Sequence, residues 1–334
     1  MARLVDIAEA AGVSVGLVSR VLNRDPATRA TAETRQRILR VAADLGYRPH
    51  YAARALKFAR TDTISLVVPD LTNAMFTELM RGVEDESGAL GYTVLLGRSE
   101  SLTNQDQISQ LLDQGRVDGF LLQARDDETT QSLATLIGSS PVVLINGRLD
   151  THPGSVMIDD RAATGTATDY LLERGHREIG LINGLRTSLT ARLREEGFRE
   201  ALQRAGITPV EARITRLGYR AADAGPALAE IMALDDRPTA VVVANVNAAL
   251  GVLTQARELG LKVPDDLSVI AVHDAWTCDH TWPPLTTVRM PLYDLGARAV
   301  RTLHDRLRGS VGVDSVVSTV PPLLVERASV RSLD

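Results

Sequence analysis

Apolar and polar residues follow two different patterns along this chain, and the change falls near residue 62. Before it, apolar residues recur three or four positions apart, which is the spacing of one face of a helix. After it, short and continuously apolar runs alternate with amphipathic segments, which is typical of strands buried in a parallel sheet and joined by helices. The pattern predicts a small all-helical unit followed by a larger α/β body.

The body contains two successive runs of this alternation, and neither carries a glycine-rich dinucleotide fingerprint. In the first run we predict strands at 64–69, 93–97, 119–123 and 142–146, and helices at 75–90, 105–114 and 129–137. In the second we predict strands at 156–158, 179–183, 211–217, 240–244, 268–272 and 323–326, and helices at 161–174, 190–205, 221–233, 247–259 and 292–308. Repeated β-α units imply parallel sheets with right-handed crossovers, so the body should form two similar lobes.

The N-terminal unit has the pattern of a helix-turn-helix. Its first helix ends at Gly12, because glycine tolerates the left-handed conformation of a helix C-cap. Ser14 caps the second helix, which carries an apolar stripe of Val18, Val21 and Leu22. A third helix extends from Thr31 as its cap to Gly46 as its stop, with an apolar face of Ile38, Val41, Ala42 and Leu45. In such a motif the second helix lies in the major groove of DNA.

The charge of the chain is distributed unevenly. Residues 1–60 contain 11 Lys and Arg against 5 Asp and Glu, whereas the whole chain carries a net charge of −5. A basic module on an acidic body is typical of a head that binds phosphate groups.

Five segments in this order and spacing, DIAEAAGVS, VSRVLN, ETR, LGYRP and AARALK, resemble the head and hinge of the LacI/GalR family of bacterial transcriptional regulators. The resemblance implies a helix-turn-helix DNA-binding head at 1–47 and a hinge helix and linker at 48–61. It also implies that Leu56 inserts into the minor groove at the operator centre, where an apolar wedge unstacks a base step and bends the DNA. Ordinary packing of Leu56 beneath a linker is the alternative.

The body resembles the regulatory core of the same family, which shares its fold with periplasmic sugar-binding proteins. The segments RGHREIGLING, REEGF, RPTAVVVAN, ALG and PPLTTVRMP carry this resemblance. In such a core the chain crosses between the lobes three times, here near Asp159, Arg289 and Val320. The N-terminal lobe then comprises 62–159 and 290–320, and the C-terminal lobe 160–289 and 321–334. The predicted fold class is α/β: a small all-α helix-turn-helix head plus two doubly wound α/β lobes of periplasmic-binding-protein type.

Contacts to DNA are expected from the second helix, from the start of the third and from the hinge. The second helix departs from the family pattern at Leu17, where threonine is usual, and at Gly16, which has no side chain to read a base. Readout by Val15 and Gly16 would be mainly apolar, for example with a thymine methyl group, and several other residues should bind phosphate. The predicted DNA-binding residues are Ser14, Val15, Gly16, Ser19, Arg20, Asn23, Thr31, Thr34, Tyr51, Arg54 and Leu56.

Ligands of open α/β sheets bind beyond the carboxyl ends of the strands, so residues that follow predicted strands are the effector candidates. These are mostly amides, carboxylates, an arginine and aromatic residues, which suit the hydroxyl groups and ring faces of a sugar. Phe76, Tyr219, Trp276 and Trp282 near strand ends or lobe junctions support a binding crevice. The predicted effector-binding residues are Asp70, Asn73, Phe76, Gln123, Asn146, Asp159, Thr190, Arg194, Tyr219, Asn245, His273 and Asp274.

The resemblance makes Arg194 the effector-anchoring arginine and places Tyr219 and Asn245 at effector-contact positions. Each candidate also has a simpler interpretation. Asp70 and Asn73 could be turn residues or the helix cap, Tyr219 a surface residue, and Arg194 the partner of Glu195 or Glu196 on a solvated face. The chain departs from the family pattern at Ala74, Val246 and His273, which leaves the identity of the ligand open.

Two other classes of function compete with a regulator. His273, Asp274, Cys278, Asp279 and His280 lie close together, but their spacing matches no zinc pattern, and the chain has no Walker, G-x-S-x-G or H-E-x-x-H motif. We therefore expect no enzyme, no cofactor and no metal. The basic head and the lack of an apolar signal-peptide core argue against a transport protein. A lone cysteine, and no apolar run near the ~20 residues that span a bilayer, predict a cytoplasmic protein without membrane contact.

The sequence therefore predicts a DNA-binding transcriptional regulator, a repressor, whose operator affinity is controlled allosterically by a small-molecule effector, a sugar. The expected partners are pseudo-palindromic operator DNA, this effector and a second copy of the chain in a homodimer without leucine heptads after the last strand. The alternative is a cytoplasmic sugar-binding protein or an enzyme with the same core.

Overall fold

The computed structural model describes residues 2–22, 28–47, 60–99, 105–124, 128–318 and 320–333. The chain divides into two compact units, Met1–Thr61 and Asp62–Asp334. Most of the predicted hinge at 48–61 lies outside the described residues, and so do Asn23, Tyr51, Arg54 and Leu56.

The described residues of the first unit form three helices, α1 (Leu4–Ala11), α2 (Val15–Leu22) and α3 (Ala32–Asp44). Gly12 ends α1 at a φ of 65°. Ser14 Oγ accepts a hydrogen bond from the Leu17 N–H (3.3 Å) at the start of α2, and Thr31 Oγ1 accepts one from the Thr34 N–H (3.2 Å) at the start of α3. The core of the unit consists of Ile7, Ala8, Ala11, Val18, Val21, Ile38 and Ala42. The predicted helix-turn-helix is thereby confirmed.

Leu45 differs from its prediction as a buried residue of the third helix. Its side chain is exposed, because α3 ends at Asp44 and Leu45 is the C-cap rather than part of the helix face.

The N-terminal lobe is built on parallel strands in the order β2-β1-β3-β4, with β1 at Thr63–Val68, β2 at Thr93–Arg98, β3 at Gly119–Leu122 and β4 at Val142–Leu144. A second parallel pair, β5 (Val156–Ile158) and β11 (Ser315–Val317), joins this sheet through a bridge between Ile145 and Val156. The helices of this lobe are α4 (Phe76–Leu90), α5 (Gln105–Asp113), α6 (Thr130–Ile137) and α11 (Leu292–Leu307).

The C-terminal lobe contains a six-stranded sheet in the order β12-β10-β9-β8-β6-β7. Its strands are β6 (Ile179–Asn183), β7 (Ile214–Arg216), β8 (Ala240–Val243), β9 (Ser268–Val272), β10 (Thr286–Arg289) and β12 (Leu323–Val325). All pairs are parallel except β10 with β12. The helices are α7 (Asp160–Glu173), α8 (Leu189–Arg204), α9 (Ala221–Met232) and α10 (Val246–Glu258). Every residue of β6, β8 and β9 is buried, as continuously apolar strands require.

The chain passes between the two sheets three times. It leaves the first sheet after β5, returns after β10 to add α11 and β11, and leaves again to add β12. Each lobe is therefore discontinuous in sequence.

Glycines allow three pairs of helices to approach closely. A Cβ atom would lie only 2.0 Å from a backbone oxygen of the neighbouring helix at Gly82 (α4 against α11), at Gly197 (α8 against α7) and at Gly251 (α10 against α9). These helices pack in pairs through backbone contact, which any larger residue at these positions would prevent.

Most predicted elements are present with ends shifted by one or two residues, but three details differ. Strands β10 and β11 were not predicted, because each contains only three or four residues and lacks a long apolar run. The segment predicted as a strand at 211–217 begins with a 3₁₀ turn at Glu211–Arg213.

No helix within the described ranges combines the length and apolar character that a membrane span requires.

Candidate functional site

The start of α2 forms the candidate DNA-reading surface of the head. Val15, Gly16 and Arg20 are exposed there, and so is Ser14, which caps the helix. Ser19 and Thr34 are partly buried, while Thr31 is exposed at the start of α3. Leu17 packs against the core of the head instead. An exposed apolar residue beside glycine leaves room for close approach to a base edge in the major groove.

The second unit contains a cavity of about 550 Å³ between its two lobes. It lies at the carboxyl ends of strands from both sheets, as expected for open α/β sheets. The N-terminal lobe contributes Pro69, Asp70, Asn73, Met75, Phe76, Arg98, Gln123 and Asn146. The C-terminal lobe contributes Leu185, Thr190, Arg194, Leu217, Gly218, Tyr219, Arg220, Asp223, Asn245 and Asn247. A cavity of this size accommodates a small molecule.

Three asparagines in the cavity wall use their side chains in the same way. The Oδ1 atom accepts a backbone hydrogen bond in each: from Met75 N–H at Asn73 (3.2 Å), from Ile158 N–H at Asn146 (3.2 Å) and from Ala248 N–H at Asn245 (2.7 Å). The acceptor end of each amide thus stabilises the local fold, and the NH₂ end remains to donate to a ligand.

Gln123 offers a hydrogen-bond acceptor, whereas the asparagines offer donors. Its Oε1 atom is buried and has no hydrogen-bond partner among the described residues. A buried acceptor without a partner costs free energy, so a ligand hydroxyl that donates to it would remove this cost.

Arg194 is held by a buried network behind the cavity wall. Its Nε donates to Asp160 Oδ1 (2.8 Å), and its Nη2 lies 2.6 Å from the same oxygen. The side chains of both residues are at most 4% exposed, so this is a buried ion pair. Burial raises the pKa of the Asp160 carboxyl group, and the Arg194 guanidinium opposes that rise. The partner of Arg194 is therefore Asp160, and not the neighbouring Glu195 or Glu196.

Tyr219 completes this wall of the cavity. Its hydroxyl lies 2.9 Å from Thr190 Oγ1, and the Arg194 guanidinium lies 5.2 Å from its ring centre. A Cβ on Gly184 would lie 2.2 Å from the Tyr219 ring, so glycine is required there for the ring to take this position. Tyr219 is thus a packed wall residue and not a surface tyrosine.

Nine of the twelve predicted effector residues line the cavity: Asp70, Asn73, Phe76, Gln123, Asn146, Thr190, Arg194, Tyr219 and Asn245. The other three take different positions. Asp159 is exposed and caps α7 through a bond from the Ala162 N–H (2.8 Å). Asp274 forms ion pairs with Arg289 (2.6 Å) and Arg327 (2.9 Å).

His273 is the third of these residues. It is fully buried behind Arg194, and its Nε2 lies 3.0 Å from Arg194 Nη2.

Among the aromatic residues predicted to line the crevice, Trp276 and Trp282 are exposed by 65% and 93%, because both follow β9 in a surface segment.

Sequence reasoning missed several wall residues. Arg98 was missed because the predicted second strand ended one residue earlier, at Gly97. Arg220, Asp223 and Asn247 belong to helices or helix caps that follow the strand ends by a few residues, and only the fold brings them to the cavity. Asp160, like Asp159, was a candidate because it follows the short strand β5, but the sequence did not indicate its pairing with Arg194.

The residues that prompted an enzyme hypothesis do not converge on one centre. Cys278 is buried, Asp279 pairs with Arg327 (2.6 Å), and Asp274 and His273 bind arginines. Within the described part of the chain, no three His, Cys, Asp or Glu side chains form a group suited to a metal ion.

Burial of histidines makes the stability of this unit depend on pH. Burial, followed by the nearby Arg194 charge, holds the pKa of His273 well below 6.5. Below pH 6.5 the unfolded chain therefore binds a proton that the folded chain does not, and the free energy of unfolding falls by about 1.4 kcal/mol per pH unit for this residue. Urea unfolding of the wild type between pH 7.5 and 5.5 should show this fall in the free energy of unfolding. In His273→Gln the dependence of that free energy on pH should be weaker by the contribution of this one histidine. His280→Gln, at an exposed position, is the control. If His273→Gln has the same pH dependence of stability as the wild type, His273 is not its cause.

Comparisons with known proteins agree with this architecture. Residues 3–50 match the family described as bacterial regulatory proteins, lacI family, and residues 168–330 match the periplasmic binding protein-like domain. The HTH-type transcriptional repressor PurR of Photobacterium profundum is 34% identical over 342 residues, which cover 100% of both chains.

Two solved structures are also similar over nearly the whole chain. The lac repressor dimer bound to operator and the anti-inducer ONPF has a TM-score of 0.81 at 26% identity, covering 99% of each chain. The transcriptional regulator CelR–cellobiose complex has a TM-score of 0.72 at 28% identity, covering 98% of this chain and 100% of that chain. Family membership locates the protein with the DNA in the bacterial cytoplasm. The chain belongs to the lacI family of bacterial regulatory proteins: it is a DNA-binding transcriptional repressor, not an enzyme, and its operator binding is regulated by a small-molecule effector.

Proposed function

We propose that this repressor senses a neutral carbohydrate, a mono- or disaccharide, in the cavity between its lobes. The observation that carries this proposal is a cavity wall in which three of the four asparagines use their side-chain oxygens within the fold, while Gln123 Oε1 is a buried acceptor without a partner among the described residues. A sugar hydroxyl both donates and accepts, so one class of ligand satisfies both kinds of group. Phe76 and Tyr219 supply apolar ring surface beside them.

The charges around the cavity favour a neutral ligand. Three arginines and two aspartates line it, and Asp160 behind Arg194 adds a third carboxylate. Arg220 pairs with Asp223 (2.9 Å), as Arg194 pairs with Asp160. A phosphorylated ligand would bring charge into a wall whose arginines already have partners.

We further propose that two copies of the chain bind a pseudo-palindromic operator, with lobes at 62–159 with 290–320 and at 160–289 with 321–334. The effector then changes the relative orientation of the two lobes, and this alters the distance between the two hinge segments of the dimer. Support comes from the three connecting segments between the sheets, which permit such a motion. The coupling is reciprocal, so effector and operator change each other's affinity by the same factor.

A thermal-shift screen of the full-length protein tests the effector class. The panel contains monosaccharides, disaccharides, nucleobases and phosphorylated sugars. A ligand that binds only the folded state stabilises it by about 2.7 kcal/mol at a concentration of 100 Kd, so a binding sugar should raise the melting temperature measurably. A shift with nucleobases or phosphorylated sugars alone would refute the carbohydrate proposal.

An isosteric change at Asn245 tests the donor role directly. Asn245→Asp keeps the oxygen that caps α10, because aspartate is an equally good N-cap, but removes the NH₂ group. Because Asn245 is only 3% exposed, the new carboxylate is also buried, so we expect a lower melting temperature without ligand. We expect the Kd for a sugar that binds in the thermal-shift screen to rise at least about tenfold, the cost of one hydrogen bond in a desolvated site. Asn245→Ala is the matched control that loses both functions. A sugar affinity equal to that of the wild type in Asn245→Asp would remove Asn245 from the contacts.

Leu56, outside the described residues, is proposed as the minor-groove wedge. Leu56→Ala should leave dimerisation intact and weaken operator binding several-fold, because the apolar insertion that kinks the DNA is shortened. Fluorescence anisotropy with operator DNA gives the affinity, and analytical ultracentrifugation gives the oligomeric state. Operator affinity that stays at the wild-type value would contradict the wedge role.

A further inference from the structure

His273 has an unusual environment behind the cavity. It directly follows β9, is 0% exposed and has a φ of 68°, a left-handed conformation that residues with side chains adopt at a cost. Its Nε2 lies 3.0 Å from Nη2 of Arg194. A guanidinium group has only donors, so Nε2 must accept this hydrogen bond and the imidazole proton must reside on Nδ1.

The other ring nitrogen gains nothing from this arrangement. Nδ1 is buried and has no hydrogen-bond partner among the described residues. A buried N–H without a partner and a left-handed backbone both oppose folding, and the two costs occur at one residue. Unsatisfied groups and strained backbones that persist together occur preferentially at functional sites, where a neighbouring group depends on them.

The neighbouring group here is the Arg194 guanidinium. Asp160 on α7 accepts hydrogen bonds from Nε (2.8 Å) and Nη2 (2.6 Å), and His273 accepts from Nη2. The guanidinium plane is thus held by two acceptors on different elements while Arg194 lines the cavity. Asp274, the next carboxylate along the chain, is occupied by Arg289 and Arg327. Because Asp160 already neutralises Arg194, a neutral acceptor completes its hydrogen bonding without adding charge to the wall.

We propose that His273 is a positioning residue for effector binding: as a neutral, Nδ1-protonated imidazole it fixes the Arg194 guanidinium in the orientation that faces the ligand, without touching the ligand itself. The inference rests on the proposed role of Arg194 as an effector contact. Burial and the Arg194 charge, which hold the pKa of His273 well below 6.5, keep the ring in this form at neutral pH.

Three variants separate the hydrogen bond from the backbone conformation. His273→Gln retains an acceptor at about the reach of Nε2. His273→Asn suits the positive φ better but is too short to reach Arg194, and His273→Leu has no acceptor. Isothermal titration of the full-length proteins with D-glucose, D-ribose and cellobiose measures binding, and circular dichroism confirms folding. We expect the Kd of the binding sugar to stay within threefold of wild type in His273→Gln and to rise at least tenfold in His273→Asn and His273→Leu. Equal affinity in all variants, or affinity retained by Asn and lost by Gln, overturns the proposal.

A second measurement needs no ligand, so it tests the positioning role of His273 even if none of the three sugars binds. Proton–nitrogen NMR of the full-length protein labelled with ¹⁵N-histidine and ¹⁵N-arginine reports which imidazole nitrogen of His273 is protonated and how fast the Arg194 Nε–H exchanges. We expect a neutral ring protonated on Nδ1, and Nε–H exchange that is slow in wild type and His273→Gln but at least tenfold faster in His273→Leu. Protonation on Nε2, or unchanged exchange in His273→Leu, overturns the positioning role. If none of the three sugars binds while these signatures are present, the positioning role of His273 stands and these three sugars are excluded as the effector.

Discussion

Replacing Arg194 with alanine is expected to lower the free energy of unfolding by about 3–5 kcal/mol and to abolish the effector response. The first effect follows because the substitution leaves the Asp160 carboxylate buried, at 2% side-chain exposure, without its counter-charge. The second follows because Arg194 is part of the cavity wall. Urea unfolding measures the first effect, and the sugar-induced thermal shift measures the second.

The pH dependence of this variant identifies the cause. Burial already raises the pKa of Asp160, and Arg194 is the group that opposes the rise. Without Arg194 the carboxyl group should be protonated in the folded state at higher pH than in the unfolded chain. The loss of stability should therefore shrink as the pH is lowered through the raised pKa.

Two further substitutions control this experiment. Arg194→Ala combined with Asp160→Asn should recover part of the stability, because no charge remains buried. Arg204→Ala removes an exposed ion pair with Asp169 in the same helix α8 and should cost less than about 1 kcal/mol. If Arg204→Ala and Arg194→Ala lower the free energy of unfolding equally, the buried Arg194–Asp160 pair contributes no more to stability than an exposed pair does.

A single methyl group at Gly82 is expected to destabilise the N-terminal lobe by about 3 kcal/mol, at the upper end of the usual cost of overpacking. The Cβ of Gly82→Ala would lie 2.0 Å from the carbonyl oxygen of Tyr293, so α4 and α11 must move apart. Backbone atoms form this contact, and no side chain can rotate away to relieve it. Chemical denaturation of the full-length protein measures the loss.

The matched control lies in the same helix. Gly88 in α4 is exposed, and a Cβ there would meet no atom within 4 Å. Gly88→Ala should therefore stabilise the protein by about 0.5–1 kcal/mol, because alanine loses less conformational entropy than glycine in a helix. Destabilisation by both substitutions would show that helix α4 tolerates no added methyl group, whatever its contacts.

The sequence predicted the elements of the two lobes because their strands are buried on both faces. Continuous apolar runs such as those of β6, β8 and β9 are typical of the interior of a parallel sheet, and the helices between them follow from their amphipathic spacing. The short strands β10 and β11 gave no such signal, since pairing with a neighbour defines them more than composition does.

Candidate site residues were predictable where they directly follow a strand, because the topology of a parallel sheet brings all carboxyl ends to one edge. The partners of those residues were not predictable. Arg194 and Asp160 are 34 positions apart, and Arg194 and His273 are 79 apart, so only the packing of α7, α8 and β9 brings them together. His273 followed a strand end as expected, yet the left-handed backbone at this residue places its side chain behind the wall rather than in it.

The late return of the chain to its first lobe also constrains the folding of this protein during synthesis. Domains usually fold in order as they leave the ribosome. Here α11 and β11, at Leu292–Leu307 and Ser315–Val317, complete a lobe whose first strand is Thr63–Val68. Until they emerge, the face of α4 around Gly82 lacks its partner helix and β5 lacks its neighbouring strand. The nascent first lobe therefore exposes apolar surface through most of translation, and it can be completed only after most of the second lobe has been synthesised.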